Sequence, residues 1–452
     1  MPSSALRSLR AVWEETIAPP LTRPGFANFL VIAVGWILTR GPHAVTEALV
    51  ETQVAGRRHH ETFHRFFSRG TWDPDRLGLW VFWRIRAVFG AADAVRIVLD
   101  DTLAPKKGPH VFGIGSHLDA VRSTKRQKIF CFGHCWVVLA VLVVVPFSKR
   151  AWALPVLFRL YRTHKDCERH GAVQRKKTQL AREMLDVFCS WVTDRRIELA
   201  ADSAFCNDTV THGLPERVVL FGAMRPDAVL TEPPPSAGHG GKGGRPRKRG
   251  RLLRKPQQLA RDGRTPWRTT EAMLYGRKTT VRFKTVCAQW YRATGTRLLR
   301  IVIVATDSVV MPYRVFFCFD ATLEVRTVLE TYAGRWGIEV FFREGKQLLG
   351  FADSQARKQE AVLRVAPLVG LLYSTLVIWF VQDIYRMPAV AAPPLRPWYR
   401  HKVGLCFADV LRAAQRTVVH VDVLVPCWHS NNLQQPSLRS RWRAVRPLDA
   451  TG

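Results

Sequence analysis

Short runs of Val, Ile, Leu and Ala, bounded by charged residues or by Gly and Pro, recur through the middle of the chain and predict strands. Residues 95–101 give the clearest case. Their apolar, β-branched run ends in Asp100 and Asp101, as expected for a buried central strand that delivers a carboxylate at its tip. Neighbouring strand residues point to opposite faces, so only one of the two acids readily faces a shared site. Runs at about 111–118 and 134–145 predict a second and a third strand. Leu180, Met184, Val187, Phe188 and Trp191 recur at helical spacing and predict a covering helix over about 172–193. Residues 196–201 predict another strand, ending on Asp202. Further strands are expected at 217–224, 279–290, 298–305 and 313–319. The first 88 residues carry helical patterns instead, with basic segments at Arg57-Arg58-His59-His60 and around His64 to Arg69.

Three apolar stretches invite a membrane reading. Residues 129–147 are nearly all apolar and have basic flanks, but their valine content and place in the strand order favour a central strand turning near Pro146. Residues 361–381 are interrupted by Arg364 and Pro367, which favours a core helix. Residues 29–38 are too short to span a bilayer and lie far from the start for a signal peptide. The expectation is a chain without a membrane partner.

The segment from Tyr332 to Lys346 has a different pattern. Tyr332, Arg335, Glu339 and Lys346 stand at offsets 0, 3, 7 and 14. At about 100° per residue, a continuous helix places all four within roughly 60° of arc. A tyrosine, an arginine, a carboxylate and a lysine on one face suit phosphates gripped around a metal-binding acid; an amphipathic helix with a charged solvent side gives the same pattern. Gly334, Gly337 and Gly345 lower helix propensity and mark places where another backbone comes close.

Composition narrows the partner. Lys and Arg number 68 against 36 acidic residues, a net charge of +32, which favours polyanions. With 47% hydrophobic residues over 452 positions, the chain has enough apolar mass for more than one domain. Its nine cysteines lack any Cys-x-x-Cys pair and suit a reducing cytoplasm. Cys131-x2-His134-Cys135 has ligand-like spacing, but it sits in an apolar strand without a second pair and reads as buried thiols.

Tyr-x2-Arg-x3-Glu-x6-Lys resembles the YREK signature of DDE transposases from bacterial insertion sequences, and Arg335-Trp336-x2-Glu339 and Lys346-x2-Leu349-Gly350 resemble its usual context. Asp100-x-Thr102, with Lys106-Lys107-Gly108 beyond, and Asp202 follow the same layout. The resemblance implies an α/β fold: a ribonuclease-H-like catalytic core interrupted by a β-rich insertion, with a helical N-terminal domain. It implies Asp100, Asp202 and Glu339 as catalytic and metal-binding carboxylates for two Mg²⁺ ions, with Mn²⁺ as substitute. It favours Asp100 over Asp101, and places Arg335 and Lys346 on DNA phosphates, Tyr332 at the end nucleotide and Trp290 at a displaced base. It also implies cut-and-paste chemistry on terminal inverted repeats and target DNA, with a hairpin as one route, by a homodimer associated with the bacterial nucleoid.

The expected organisation is a DNA-contacting helical domain at 1–88, a first part of the core at 89–210, the insertion at 211–320, the catalytic and closing helices at 321–387, and a basic region at 388–452. Within the insertion, residues 236–265 predict a basic mobile loop. There Gly244-Arg245-Pro246-Arg247-Lys248 resembles an AT-hook core, whose Arg-Pro-Arg lies in a narrow minor groove; a solvated loop making only phosphate contacts is the plainer reading. The alternatives to a transposase are another ribonuclease-H-like nuclease, a domesticated inactive DNA-binding copy and, as a separate class, a membrane protein.

Overall fold

The computed structural model describes residues 2–90, 93–108, 110–119, 121–124, 126–235, 247–392, 398 and 404–419. It divides into a helical unit (1–90, 108–112 and 343–452) and a sheet unit (91–107 and 113–342).

The chain opens with five helices: α1 (Pro2–Thr16), α2 (Arg23–Leu38), α3 (Val45–Glu51), α4 (Glu61–Ser68) and α5 (Pro74–Phe89). Thr22 and Asp73 cap α2 and α5, and each helix has Pro in its first turn, where a missing N–H costs nothing. The sheet unit follows with β1 (Ala94–Pro105), β2 (Gly115–Leu118), β3 (Phe130–Val144), β4 (Ala151–Tyr161), α6 (His164–Arg169), α7 (Lys177–Trp191), β5 (Arg196–Ala201), α8 (Asp208–Thr211) and β6 (Val218–Met224). Next come α9 (Pro256–Arg261), β7 (Arg268–Leu274), β8 (Arg277–Gln289), α10 (Tyr291–Thr294), β9 (Leu298–Ala305), β10 (Tyr313–Cys318) and α11 (Val325–Gly334). Then α12 (Trp336–Leu348) runs on into the helical unit, which adds α13 (Gln359–Trp379), α14 (Pro388–Ala391) and α15 (Phe407–Val419).

The core of the sheet has the order β4-β3-β1-β5-β6. Strand β3 runs antiparallel to β1 and to β4, while β1, β5 and β6 are parallel. This mixed sheet, with α7 in the crossover from β4 to β5, is the ribonuclease-H-like core. Its central strands read as apolar runs because both faces are covered. Strands β10, β9, β8 and β7 continue the same sheet beyond β6 by antiparallel pairing.

Several expectations need correcting. The third main strand of the core is β4, which the sequence reading missed; the run at 111–118 yields only the short β2, paired to the first residues of β3. Pro155 disguised β4. It sits where the β3–β4 register shifts by one residue, a bulge on an edge strand that leaves Pro without a ladder bond to make. The strand at 218–224, expected to open the insertion, pairs in parallel with β5 and is the fifth core strand. Part of the expected mobile loop is anchored. The Glu232 N–H donates to the Arg251 carbonyl, the Gly250 N–H donates to the Glu232 carbonyl, and the buried Lys284 ammonium donates to the carbonyls of Leu259, Ala260 and Asp262.

The apolar stretch at 129–147 is β3, with a turn at Pro146. Among the described residues, 359–384 form one helix long and apolar enough to cross a membrane by length and composition, yet 89% of its apolar 18-residue stretch is buried in the protein. Within the helical unit α1, α4, α5 and α15 surround it.

Candidate active site

Strand register builds the site. Leu99 pairs with Ala201 across the parallel β1–β5 ladder, so the next residue on each strand is an aspartate: Asp100 on β1 and Asp202 just past β5. Parallel neighbours lie about 4.8 Å apart and share a face at matched positions. Two carboxylates therefore start side by side at the carboxyl ends of the central strands.

The third acid arrives on a helix. The expected single helix through 332–346 is two, joined at Arg335, whose backbone keeps helical angles while the turn tightens. The N–H of Arg335 donates to the Tyr332 carbonyl at 3.0 Å, and that of Ile338 to the Arg335 carbonyl at 3.1 Å, both three-residue spans. Gly337 lets α12 lie close on the sheet. A Cβ there would stand 3.0 Å from the Ala151 carbonyl oxygen and 3.2 Å from the Ala153 nitrogen.

Arg335 ties the elements together. Its Nη1 donates to Asp100 Oδ2 at 2.6 Å, and its Nη2 to Glu339 Oε1 at 2.6 Å. Burial raises the Asp100 carboxyl to about 7, with further upward push from Asp101 and Asp202; Arg335 and the Asp101 N–H pull the other way. Burial works against the Arg335 charge, but Asp100, Tyr332, Glu339 and Asp202 outweigh it and hold the guanidinium above its ordinary value. Tyr332 is pushed up to about 12, chiefly by burial, and its ring lies 4.7 Å from that of Phe316.

Asp101 points elsewhere. It accepts from Lys177 Nζ at 2.7 Å, at the start of α7, and from the Cys135 thiol at 3.3 Å. Burial pushes that thiol up to about 12. Alternation along β1 thus sends Asp100 and Asp101 to different partners on opposite faces of the sheet. The Asp101–Lys177 pair had no sequence signal, since a Lys at the start of a helix is unremarkable alone.

The other expected site residues are dispersed. Trp290 packs edge-on against Phe317 with centroids 5.5 Å apart. Phe317 pairs with Gly222, itself the partner of Ala201, so this indole lies near the end of β5. Lys346 lies further along α12, in the part that belongs to the helical unit. Arg247 and Lys248 are exposed, and Arg245 lies outside the described residues.

Among the described residues no three His, Cys, Asp or Glu side chains stand grouped to hold a metal ion. The chemistry of the donor set nevertheless fits a hard cation: the acids offer only carboxylate oxygens, and the half-buried Asp100 has a cationic partner already between it and Glu339. Cys131 and Cys135 are free thiols and hold no such group with His134.

No curated protein matches the chain in sequence. Among solved structures, piggyBac transposase in a synaptic complex with hairpin DNA, determined by cryo-electron microscopy, aligns over 100% of this chain and 86% of its own. The identity is 10% and the TM-score 0.45. A family model described as DDE superfamily endonuclease matches residues 17–327, a span that holds Asp100 and Asp202 and ends before Glu339. That span is well over half of the sequence, and the chain belongs to the DDE superfamily endonucleases.

Proposed function

We propose that this endonuclease is a DNA transposase of the insertion-sequence type, and that Asp100, Asp202 and Glu339 form its catalytic centre. The observation that carries the reading is the Arg335 fork, which joins Asp100 on β1 to Glu339 on α12 beside Asp202. An acid half-buried at a strand tip and pushed toward neutrality is costly to keep unless a charged ligand uses it.

The three carboxylates would hold two divalent cations, Mg²⁺ or its substitute Mn²⁺. When bound, such ions activate the attacking water or 3′ hydroxyl and stabilise the leaving oxygen. Arg335 would exchange a carboxylate for a DNA phosphate oxygen, since both suit a guanidinium fork. Lys346 would hold a second phosphate, Tyr332 would sit against the terminal nucleotide, and Trp290 would receive a displaced base. The net charge of +32 supports a DNA partner. The reaction would cut and join the element's terminal inverted repeats, through a hairpin as one route, within a homodimer in the bacterial cytoplasm.

The test uses purified full-length protein and duplexes carrying the DNA that flanks its gene, with Mg²⁺ or Mn²⁺. Wild type should nick and join these ends in preference to arbitrary duplex. Glu339→Gln should bind them with near-normal affinity and neither nick nor join. Full cleavage by Glu339→Gln would remove this residue from the centre and leave Glu344 as the next acid to test.

A further inference from the structure

The helical unit contains a cavity of about 400 Å³ between α2, α3, α4 and the start of α13. That volume lies in the range of small-ligand pockets, roughly 300–1,000 Å³. One wall is apolar, from Trp36, Phe67 and Val365. The other is cationic and polar: Arg357 and Lys358 line it, both exposed and neither in an ion pair among the described residues. Of the acids nearby, Glu61 is engaged with Arg65 and Asp353 with His43, while Glu360 stands exposed in the first turn of α13.

Two independent features point to an absent ligand. Lys358 is the N-cap of the 21-residue α13 and no side chain caps that end, so its first N–H groups face outward at the positive end of a long helix. Trp36 is 1% exposed, yet its indole N–H finds no acceptor. A buried donor without a partner in the wall of a cavity marks the place of a polar atom.

We propose that this cavity binds a nucleoside monophosphate unit. The phosphate would sit on the α13 N-terminus with Arg357 and Lys358, and the base against the Trp36 wall with a ring or carbonyl acceptor toward the indole N–H. The unit would come from a DNA strand. A second cavity of about 440 Å³, lined by Arg57, Arg58, His59 and His60, shares Thr46 with the first and offers the next basic station along a polymer. Only this choice of source rests on the transposase reading; the cavity and its chemistry do not.

The experiment photolabels full-length protein with 8-azidoadenosine monophosphate and maps the label by mass spectrometry. Alongside, a fluorescent oligonucleotide is titrated at several salt concentrations. The label should fall on peptides lining this cavity and be lost in Arg357→Ala/Lys358→Ala, whose side chains are exposed and not needed for folding. Oligonucleotide affinity of that variant should drop about tenfold, and its salt slope should shrink by about two. The titration is run without divalent metal and needs no cleavage, so a failed catalytic reading would leave this result standing. Label in the cavity with unchanged oligonucleotide binding would keep the site and make a free nucleotide its occupant. Label elsewhere, with wild-type affinity and slope in the double variant, would overturn the proposal.

Discussion

Replacing Arg335 by Ala removes the cation that, among the described residues, holds Asp100 and Glu339 together. Asp100 and Arg335 are 17% and 16% exposed, so the pair is largely shielded from water, whereas Glu339 at 34% recovers part of its hydration. Breaking a buried pair by deleting one partner costs about 3–5 kcal/mol, and the exposure of Glu339 puts this case near about 3. Protonation limits the loss. The folded-state pKa of Asp100, about 7, lies above its ordinary 3.8, so its carboxyl favours folding at low pH and that contribution is lost as pH rises through about 7. Without Arg335 that pKa rises further. The deficit of Arg335→Ala should therefore be small near pH 5, where Asp100 is neutral either way, and reach about 3 kcal/mol by pH 8, or about 3 °C in melting temperature. Adding Asp100→Asn should return about 2 kcal/mol of it at pH 8. Urea unfolding of wild type, both single variants and the double variant at pH 5 and 8 measures this directly. An Arg335→Ala deficit that is the same at both pH values, or that Asp100→Asn leaves unrelieved, would refute the reasoning.

Other consequences follow from single contacts. Gly337→Ala gains about 1 kcal/mol of helix propensity but sets a methyl 3.0 Å from a backbone oxygen that cannot swing aside, so chemical denaturation should show a net loss of about 1–2 kcal/mol. Lys177→Met strands the Asp101 carboxylate and should cost about 2 kcal/mol, most of it regained with Asp101→Asn in the same melts. In the helical unit, burial raises Glu344 above its usual range while the Tyr373 hydroxyl donates to it at 3.1 Å. The raised carboxyl loses its contribution as pH climbs, so Glu344→Gln should gain on wild type in thermal melts above the ordinary carboxylate range. Tyr373→Phe should cost about 1–3 kcal/mol.

What the sequence made legible follows from local physics. The β1 and β5 runs announced themselves because strands covered on both faces are apolar throughout, and an acid ending such a run stands out. The side of β1 that each acid takes was less legible. Alternation separates Asp100 from Asp101, but only Lys177, from a helix packed on the other face, reveals which acid goes where. Strand β4 was hidden by Pro155, a residue that disfavours strands except at bulges and edges, and whether a Pro sits at one depends on the partner strand. Arg335 read as a phosphate grip. Its engagement with an acid 235 residues away depends on tertiary register that no local pattern carries.

The central claim is that Asp100, Asp202 and Glu339 act as one catalytic unit, and the additivity of their losses tests it most directly. End-cleavage rates would be measured for Asp100→Asn, Asp202→Asn, Glu339→Gln and each pair combined, on the duplex flanking the gene, with DNA binding checked in parallel. Groups that work as a unit lose nearly everything with the first member removed. Each single variant should fall by about 10³-fold or more with binding intact, and each double should be no slower than its worse single. A single variant that cleaves at the wild-type rate, or losses that multiply from single to double, would contradict the account.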